Sequence, residues 1–530
     1  MLKNFNISED VLFYIADNIQ TNIRELEGAL IKIYGRKKIC VLYQKRQQKA
    51  ACGGGQAGVV DNEKTLNIKV YKSGFGDTFV HAWIDQFEEM YATEGYKINV
   101  VEANDQIQGA TVTDEMILGN KNAIDLYITG NVTPHRLRDA SDQEDMDMIA
   151  ANLNDVFSAK PIGVNGEESV TIEDKMKDGY AEYFQLNDTY YAFPYRSAPV
   201  GLVVNPSVYS QYASEYPCTT DELLAVVDTI REAKAFPFAF AGGNAYSYLH
   251  ALEDVWTTQY AGVEYYGEYS SMDNVTSADG AAALIGNDGW AASLDVISAI
   301  QNPKNMANGS INFQHSQAQS NLITGKAAFM VTGAWLQNEM FMDYADRVVN
   351  MQMIATPVLS EVGVKLGLPS DAVLSTLVKC VDAGKTATEA IAEVQTKHNA
   401  TVTEEQYTEV SKARGVFYDW GIPNQVVVNA YSDKLDIAKL FLRYLASDDA
   451  ARAAYESSTM RMPFDSANVD YATIGTQTVF LTSVNSITKN SAAAYIYRQA
   501  TGKRADYSIG FFNKYDGLEK TVMSNRELTG

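Results

Sequence analysis

Gly325-Lys-Ala-Ala-Phe-Met-Val-Thr-Gly-Ala-Trp-Leu-Gln-Asn-Glu-Met340 is the stretch on which the fold turns. Ala327 to Val331 is a short apolar run bounded by turn signals, a candidate buried strand. Gly333 breaks it. From Ala334 the sequence suits a helix start, with Gln337 and Asn338 in the first turn. A strand, a glycine turn, an exposed-looking Trp335 and a helix N-terminus are the parts from which open α/β proteins build a ligand site. The competing expectation is that Trp335 is ordinary core.

Upstream, Leu66 to Tyr71 alternates as a strand and Ser73 to Asp77 turns. Phe79, Val80, Trp83, Ile84, Phe87 and Met90 form a helical stripe. Lys97 to Glu102 reads as a second strand, Ala110 to Leu118 as a helix, and Ala123 to Ile128 as a third strand ending in Thr129-Gly130. Such βαβαβ alternation argues for a parallel sheet with helices on its faces. Ligands sit outside the carboxyl ends of such strands, which puts Ser73 to Asp77 and Thr129 to Asn131 at the mouth. Asp77 and Asp125 fit equally a turn former and a solvated strand end.

The next segment is Tyr190-Tyr-Ala-Phe-Pro-Tyr-Arg-Ser-Ala-Pro-Val-Gly-Leu-Val-Val-Asn-Pro206. Pro194 and Pro199 make it extended and stiff. Gly201 to Val204 then reads as a buried strand. Thr219 to Glu222 caps a helix over Leu223 to Ala233. Phe236 to Phe240 is a further strand, ending in the turn Ala241 to Tyr246. Leu249 to Tyr260 is helical and carries Trp256.

Four motifs occur in order: Tyr191 to Asn205, Gly325 to Met340, Asn424 to Asn429 followed by Ile437 to Leu445, and Ser458-Thr-Met-Arg-Met-Pro463. Together they resemble the extracellular solute-binding proteins of ATP-driven sugar importers, over about residues 64–530. The resemblance implies an α/β, two-lobe, type II periplasmic-binding-protein-like fold, here preceded by a short helical fragment. It implies lobe crossings near Tyr195 to Gly201, Pro423 to Val428 and Thr459 to Pro463. The N-terminal lobe is then 66–195 plus 424–458, and the C-terminal lobe 200–423 plus 462–530. A helical segment at 358–420 is longer than in compact maltose-type binders, and its Leu374, Leu377, Val378, Ile391 and Val394 fit packing on a lobe.

A sugar presents C–H faces and a rim of hydroxyls. Aromatic rings meet the first, and Asp, Asn, Gln and Arg meet the second. The resemblance places Trp335 at the family's principal stacking position. Tyr195, Phe75, Tyr246 and Trp256 are the further candidate walls; Asp77, Asp125, Asn244, Gln337 and Arg461 are the candidate polar partners. The implied partners are a carbohydrate, most simply an oligosaccharide, and the permease subunits of an importer, with the protein acting as a monomer and without cofactor or metal. The rival classes are a glycoside-acting enzyme, for which no carboxylate pair stands out, and a sensor for another polar solute. No G-x-S-x-G, H-E-x-x-H or C-x-x-C pattern occurs.

Composition agrees with a large globular chain: 530 residues, 46% hydrophobic and 21% charged, or roughly three to five domains' worth at about 100–200 residues each. Net charge is −23, which disfavours nucleic acid and anionic membrane surfaces. Residues 1–50 are the exception, with nine Lys or Arg against five Asp or Glu. Residues 7–33 resemble the lid of the AAA+ domain in the bacterial replication initiator DnaA, and Arg24 matches that family's nucleotide-sensing arginine. No G-x-x-x-x-G-K-[ST] phosphate loop accompanies it, so residues 1–35 read as foreign to the function of the chain.

Residues 36–65 read as a junction. Lys49-Ala-Ala-Cys52-Gly-Gly-Gly55 resembles the end of a bacterial lipoprotein signal, whose cysteine takes the lipid. Lys49 stands where an apolar residue belongs, and the apolar run Ile39 to Tyr43 is too short for a leader. The expectation is a fused or frame-shifted upstream fragment, with a mature chain anchored through Cys52 on the outer face of the membrane. A single intact frame without an alternative apolar leader overturns it. Val59 to Thr65 then reads as a tether. Cys218 and Cys380 are expected as buried free thiols, since a chain this large has no need of a staple.

Overall fold

The computed structural model describes residues 58–497, apart from 142–144, 178, 244–247, 272–274, 467 and 488–493. The DnaA-like fragment, most of the junction, Cys52, Asn244 and Tyr246 lie outside the described residues.

The strands of the two main sheets, in chain order, are β1 Thr65–Tyr71, β2 Lys97–Asn104, β3 Leu126–Ile128, β4 Phe193–Pro194, β5 Pro199–Val204, β6 Phe236–Phe238, β7 Ala327–Gly333, β8 Gln352–Ile354, β9 Val416–Asp419, β10 Gln425–Val428 and β11 Ala494–Ile496. The first sheet runs β2-β1-β3-β10-β4; the second runs β6-β7-β5-β9-β11, with β8 also on β5. Each sheet is the floor of one lobe.

In the first lobe β1 pairs parallel with β2 and β3, as the βαβαβ alternation requires. Leu66, Ile68 and Val70 alternate inward and are fully buried. The helix Thr78–Met90 buries its stripe of Phe79, Val80, Trp83, Ile84 and Phe87 behind them. The parallel expectation stops at β10, which pairs antiparallel with both β3 and β4. This strand arrives from the other lobe and needs no crossover helix. Val59 to Thr65 is less of a tether than expected: Thr65 opens β1, and Asn67 bonds Val60 through both amide atoms.

In the second lobe β7 is buried along its whole length. It pairs antiparallel with β5 and parallel with β6. Thr219 caps the helix Thr220–Glu232 by accepting from the Glu222 N–H. The helices Asp371–Asp382, Ala387–His398 and Glu404–Gly415 pack on one another, and the last also meets the helix Leu249–Ala261. Capping boxes at Thr386/Glu389 and Thr403/Gln406 start two of them. Leu374, Leu377, Val378 and Val394 are buried, so these helices thicken the lobe. Cys218 and Cys380 are buried and free of a disulfide. Among the described residues no helix is long and apolar enough to cross a membrane.

The chain crosses between the sheets at Tyr195–Ala198 and at Trp420–Asn424, whereas Pro463 to Asp465, beyond the helix Asp448–Ser458, still bond Lys175 and Lys177 of the first lobe. Both crossings and the Arg461 segment meet at Ser197. Its N–H donates to the Arg461 carbonyl (2.8 Å), and the Trp420 N–H donates to the neighbouring Ala198 carbonyl (3.0 Å). Asp419, wholly buried, accepts from Ser197 Oγ (2.6 Å), the Ala198 N–H (2.7 Å), the Gly421 N–H (2.7 Å) and the Tyr180 hydroxyl. A buried carboxylate with this many donors is held rigidly in place.

Candidate functional site

The helix after β7 begins at Leu336, two residues later than Ala334, and Trp335 is its cap residue. The Trp335 ring lies directly against Gly333, where a side chain would collide with it. From the opposite lobe comes the turn after β1. A Cβ on Gly74 would lie 2.9 Å from Trp335 Cβ and 2.6 Å from Glu339 Oε1. The two lobes therefore meet at Trp335, which is only 6% exposed. This corrects the exposed-looking tryptophan of the sequence: it is buried at an interlobe contact.

Around it stands a cluster of rings. Tyr248 lies 5.7 Å from Trp335, 5.6 Å from Trp420 and 5.2 Å from His315, centroid to centroid. Trp420 continues the cluster to Tyr418 (6.0 Å), Tyr497 (5.8 Å) and His250 (5.7 Å). Tyr248 has a left-handed backbone (φ 53°) at the start of the helix Leu249–Ala261. A bulky residue adopts that conformation only where its surroundings impose it, often at functional sites.

The polar groups are fewer. The Arg196 guanidinium is caged by Tyr71 (5.6 Å), Phe75 (5.9 Å) and Tyr195 (5.6 Å) and donates to Ser73 Oγ. It ties the first crossing to the turn that covers Trp335. Glu339, one helical turn after Trp335, keeps solvent-accessible surface and accepts from Gln319 Nε2 (2.6 Å). Its carboxyl is pushed up to about 7, first by loss of bulk water and further by the negative charge of Asp105 from the other lobe. Burial pulls His315 down to about 4. Burial also raises the phenols of Tyr71 and Tyr248.

Of the candidate residues, Trp335 stands at the interlobe contact, and Phe75 follows Gly74 in the turn that covers it. Gln337 is on the same helix, its Oε1 accepting from Thr478 Oγ1 (2.6 Å). Arg461 lies at the crossing point, its guanidinium 4.8 Å from the Tyr471 ring. Asp77 pairs with Lys72 (3.0 Å) beside the turn. Three others are elsewhere. Tyr195 is fully buried against Phe79 and Trp83, its hydroxyl donating to the Thr129 carbonyl. Trp256 is fully buried, its Nε1 donating to the Pro357 carbonyl (2.9 Å). Asp125 sits at the amino end of β3, away from the mouth. There it accepts from the Asn67 N–H and Ser432 Oγ (both 2.7 Å).

Residue-by-residue reading missed Tyr248, Trp420, His250, His315, Arg196 and Glu339. The signal for two of them was present in the sequence: Tyr248 follows the glycine pair Gly242-Gly243 by five residues, and Trp420 precedes Pro423 by three. Among the described residues no group of three or more His, Cys, Asp or Glu is placed to hold a metal.

A family model described as bacterial extracellular solute-binding protein matches residues 74–452. Solved structures of similar fold include one from work on xylan utilization by Caldanaerobius polysaccharolyticus. It is 13% identical, covers 87% of this chain and 95% of that one, and has a TM-score of 0.56. A chitin oligosaccharide binding protein gives 11%, 88% and 95%, with a TM-score of 0.57. Apo RafE from Streptococcus pneumoniae gives 11%, 88% and 97%, with a TM-score of 0.54. The curated relatives are of another kind. The replication initiator DnaA of Thermoanaerobacter sp. is 64% identical over 31 residues, and the match spans 6% of this chain and 7% of that protein.

Proposed function

The chain belongs to the bacterial extracellular solute-binding proteins, and we propose that it traps a carbohydrate between its lobes and hands it to the permease of an ATP-driven importer. One observation carries the reading. Trp335 and Tyr248, with Trp420 behind, form an aromatic wall where the turn Ser73–Phe75 of the opposite lobe comes down. Aromatic faces suit the C–H patches of a sugar ring. A ligand that touches both lobes favours the closed form, and closure is what a permease can sense. The structurally similar chitin oligosaccharide binding protein and the raffinose complex of RafE support a carbohydrate, most simply an oligosaccharide. The protein works outside the cytoplasm, as a monomer anchored by lipid on Cys52.

The test is a thermal-shift screen of the full chain against mono- and oligosaccharides, followed by calorimetry. Ligand at about 100 times its Kd adds about 2.7 kcal/mol to the folded state. A hit that is lost in Trp335→Ala, with cooperative unfolding retained, supports the trap. A flat screen with a folded protein overturns the carbohydrate. Release of reducing sugar from a bound glycoside overturns the binder in favour of an enzyme.

A further inference from the structure

Glu339 is on the helix that Trp335 caps, one turn on, and so on the same face. Its Oε1 comes within contact range of Gly74 from the opposite lobe. Its Oε2 accepts from Gln319 on the helix His315–Ile323. The residue keeps solvent-accessible surface although its carboxyl is largely surrounded by protein, the situation of a group that lines a narrow cleft. Neither Glu339 nor Asp105 forms an ion pair among the described residues. The other groups facing it are Asp105 and Tyr71 from the first lobe and Tyr248 from the second. Arg196 lies beyond Tyr71, engaged with Ser73 and three rings. His315, beside Tyr248, is kept neutral by burial above about pH 4.

We propose, building on the carbohydrate reading, that Glu339 is a specificity-determining contact of the closed cleft, accepting hydroxyl donors of the sugar stacked on Trp335. A carboxylate offers about four lone-pair sites, and Gln319 engages one. Hydroxyl donors to an ionised carboxylate make bonds roughly twice as strong as neutral ones, and they favour the charged form. Without a sugar the Gln319 amide already does so, but the loss of bulk water between the lobes outweighs it and, with the facing charge of Asp105, keeps the proton on up to about pH 7. A sugar replaces the missing water with donors and lets the proton leave. Affinity then rises with pH and levels off above about 7. A ligand lacking donors at that position binds without the gain.

The experiment is calorimetry with the best sugar from the screen, on the full chain and on Glu339→Gln, at pH 6, 7 and 8, in two buffers of different ionisation enthalpy. The wild type is expected to bind roughly tenfold tighter at pH 8 than at 6 and to release a proton. Glu339→Gln is expected to bind more weakly at pH 8, with a flat profile and no proton release. Gln keeps the size of the side chain, so a merely structural Glu339 leaves both the profile and the proton count unchanged. Binding by the wild type with an unaltered pH profile in Glu339→Gln overturns this inference and leaves the sugar trap standing. No sugar binding at any pH overturns both.

Discussion

Gly421 and Ser197 come from different lobe crossings, and a Cβ on Gly421 would lie 2.8 Å from the Ser197 Cα. The two backbones touch, and the Gly421 N–H and Ser197 Oγ both end on the carboxylate of Asp419. The hinge is thus a knot of main chain with no room for a side chain. Gly421→Ala must push the crossings apart. The expected cost is about 1–3 kcal/mol, as for other overpacked sites, and ligand affinity should fall with it. Urea unfolding with calorimetry measures both. An unchanged midpoint would show that the crossings do not need this contact.

Asn338 gives a second interlobe tie. Its Nδ2 donates to the Ser458 carbonyl (2.6 Å) and its Oδ1 accepts from Thr459 Oγ1 (2.8 Å). Ser458 ends a helix that packs on Thr78–Met90 in the first lobe, whereas Asn338 is in the second. Asn338→Ala removes both bonds, at about 0.5–1.5 kcal/mol each. The lobes should open more often, and affinity should drop with the lost closure. Small-angle scattering of the empty protein would show a larger radius of gyration. An identical scattering curve and an identical Kd would exclude the clamp.

What was legible in the sequence was whatever a local pattern determines. The apolar run at 327–331 reads as a candidate buried strand, and it is β7, two residues longer. Thr219 followed by Glu222 could only start a helix, and it does. What was not legible depends on partners remote in the chain. Asp419 is the centre of the hinge, but Tyr180 and Ser197 are 239 and 222 residues away from it in sequence. Tyr195 and Tyr248 look alike as aromatic residues beside turns. One is stacked into the first-lobe core by Phe79; the other is turned to Trp335 by a left-handed backbone. No periodicity distinguishes the two.

Tyr248 joins Trp335 to Trp420, and the wall depends on it. In Tyr248→Ala, sugar affinity should fall by about 1–2 kcal/mol, or roughly 5–30-fold. Tyr248→Phe should retain most of the affinity, because the ring face is what stacks. Tyr195→Phe, by contrast, should cost stability through its bond to the Thr129 carbonyl, by about 1 kcal/mol, without touching affinity. Calorimetry and thermal melts on the three variants separate the roles. Equal effects on binding at 195 and 248 would contradict the assignment of the wall.

His315 sets a pH limit on stability. Its ring is packed edge-on to Tyr248 and 3.5 Å from Thr332 Oγ1, and burial lowers its pKa from 6.5 to about 4. Between those values the unfolded chain takes up a proton that the folded site refuses. The stability from this site is fully present above about pH 6.5 and is lost as the pH falls towards 4. The loss reaches up to about 2 kcal/mol by pH 5. Glu339 acts in the opposite sense. Its raised carboxyl stabilises the fold at low pH, and that contribution fades as the pH rises through about 7. Its exposure keeps that effect small. Net acid destabilisation from this region should therefore follow the histidine. Urea midpoints at pH 7.5 and 5 should converge in His315→Gln relative to the wild type. Parallel losses in the two proteins would place the acid sensitivity elsewhere in the chain.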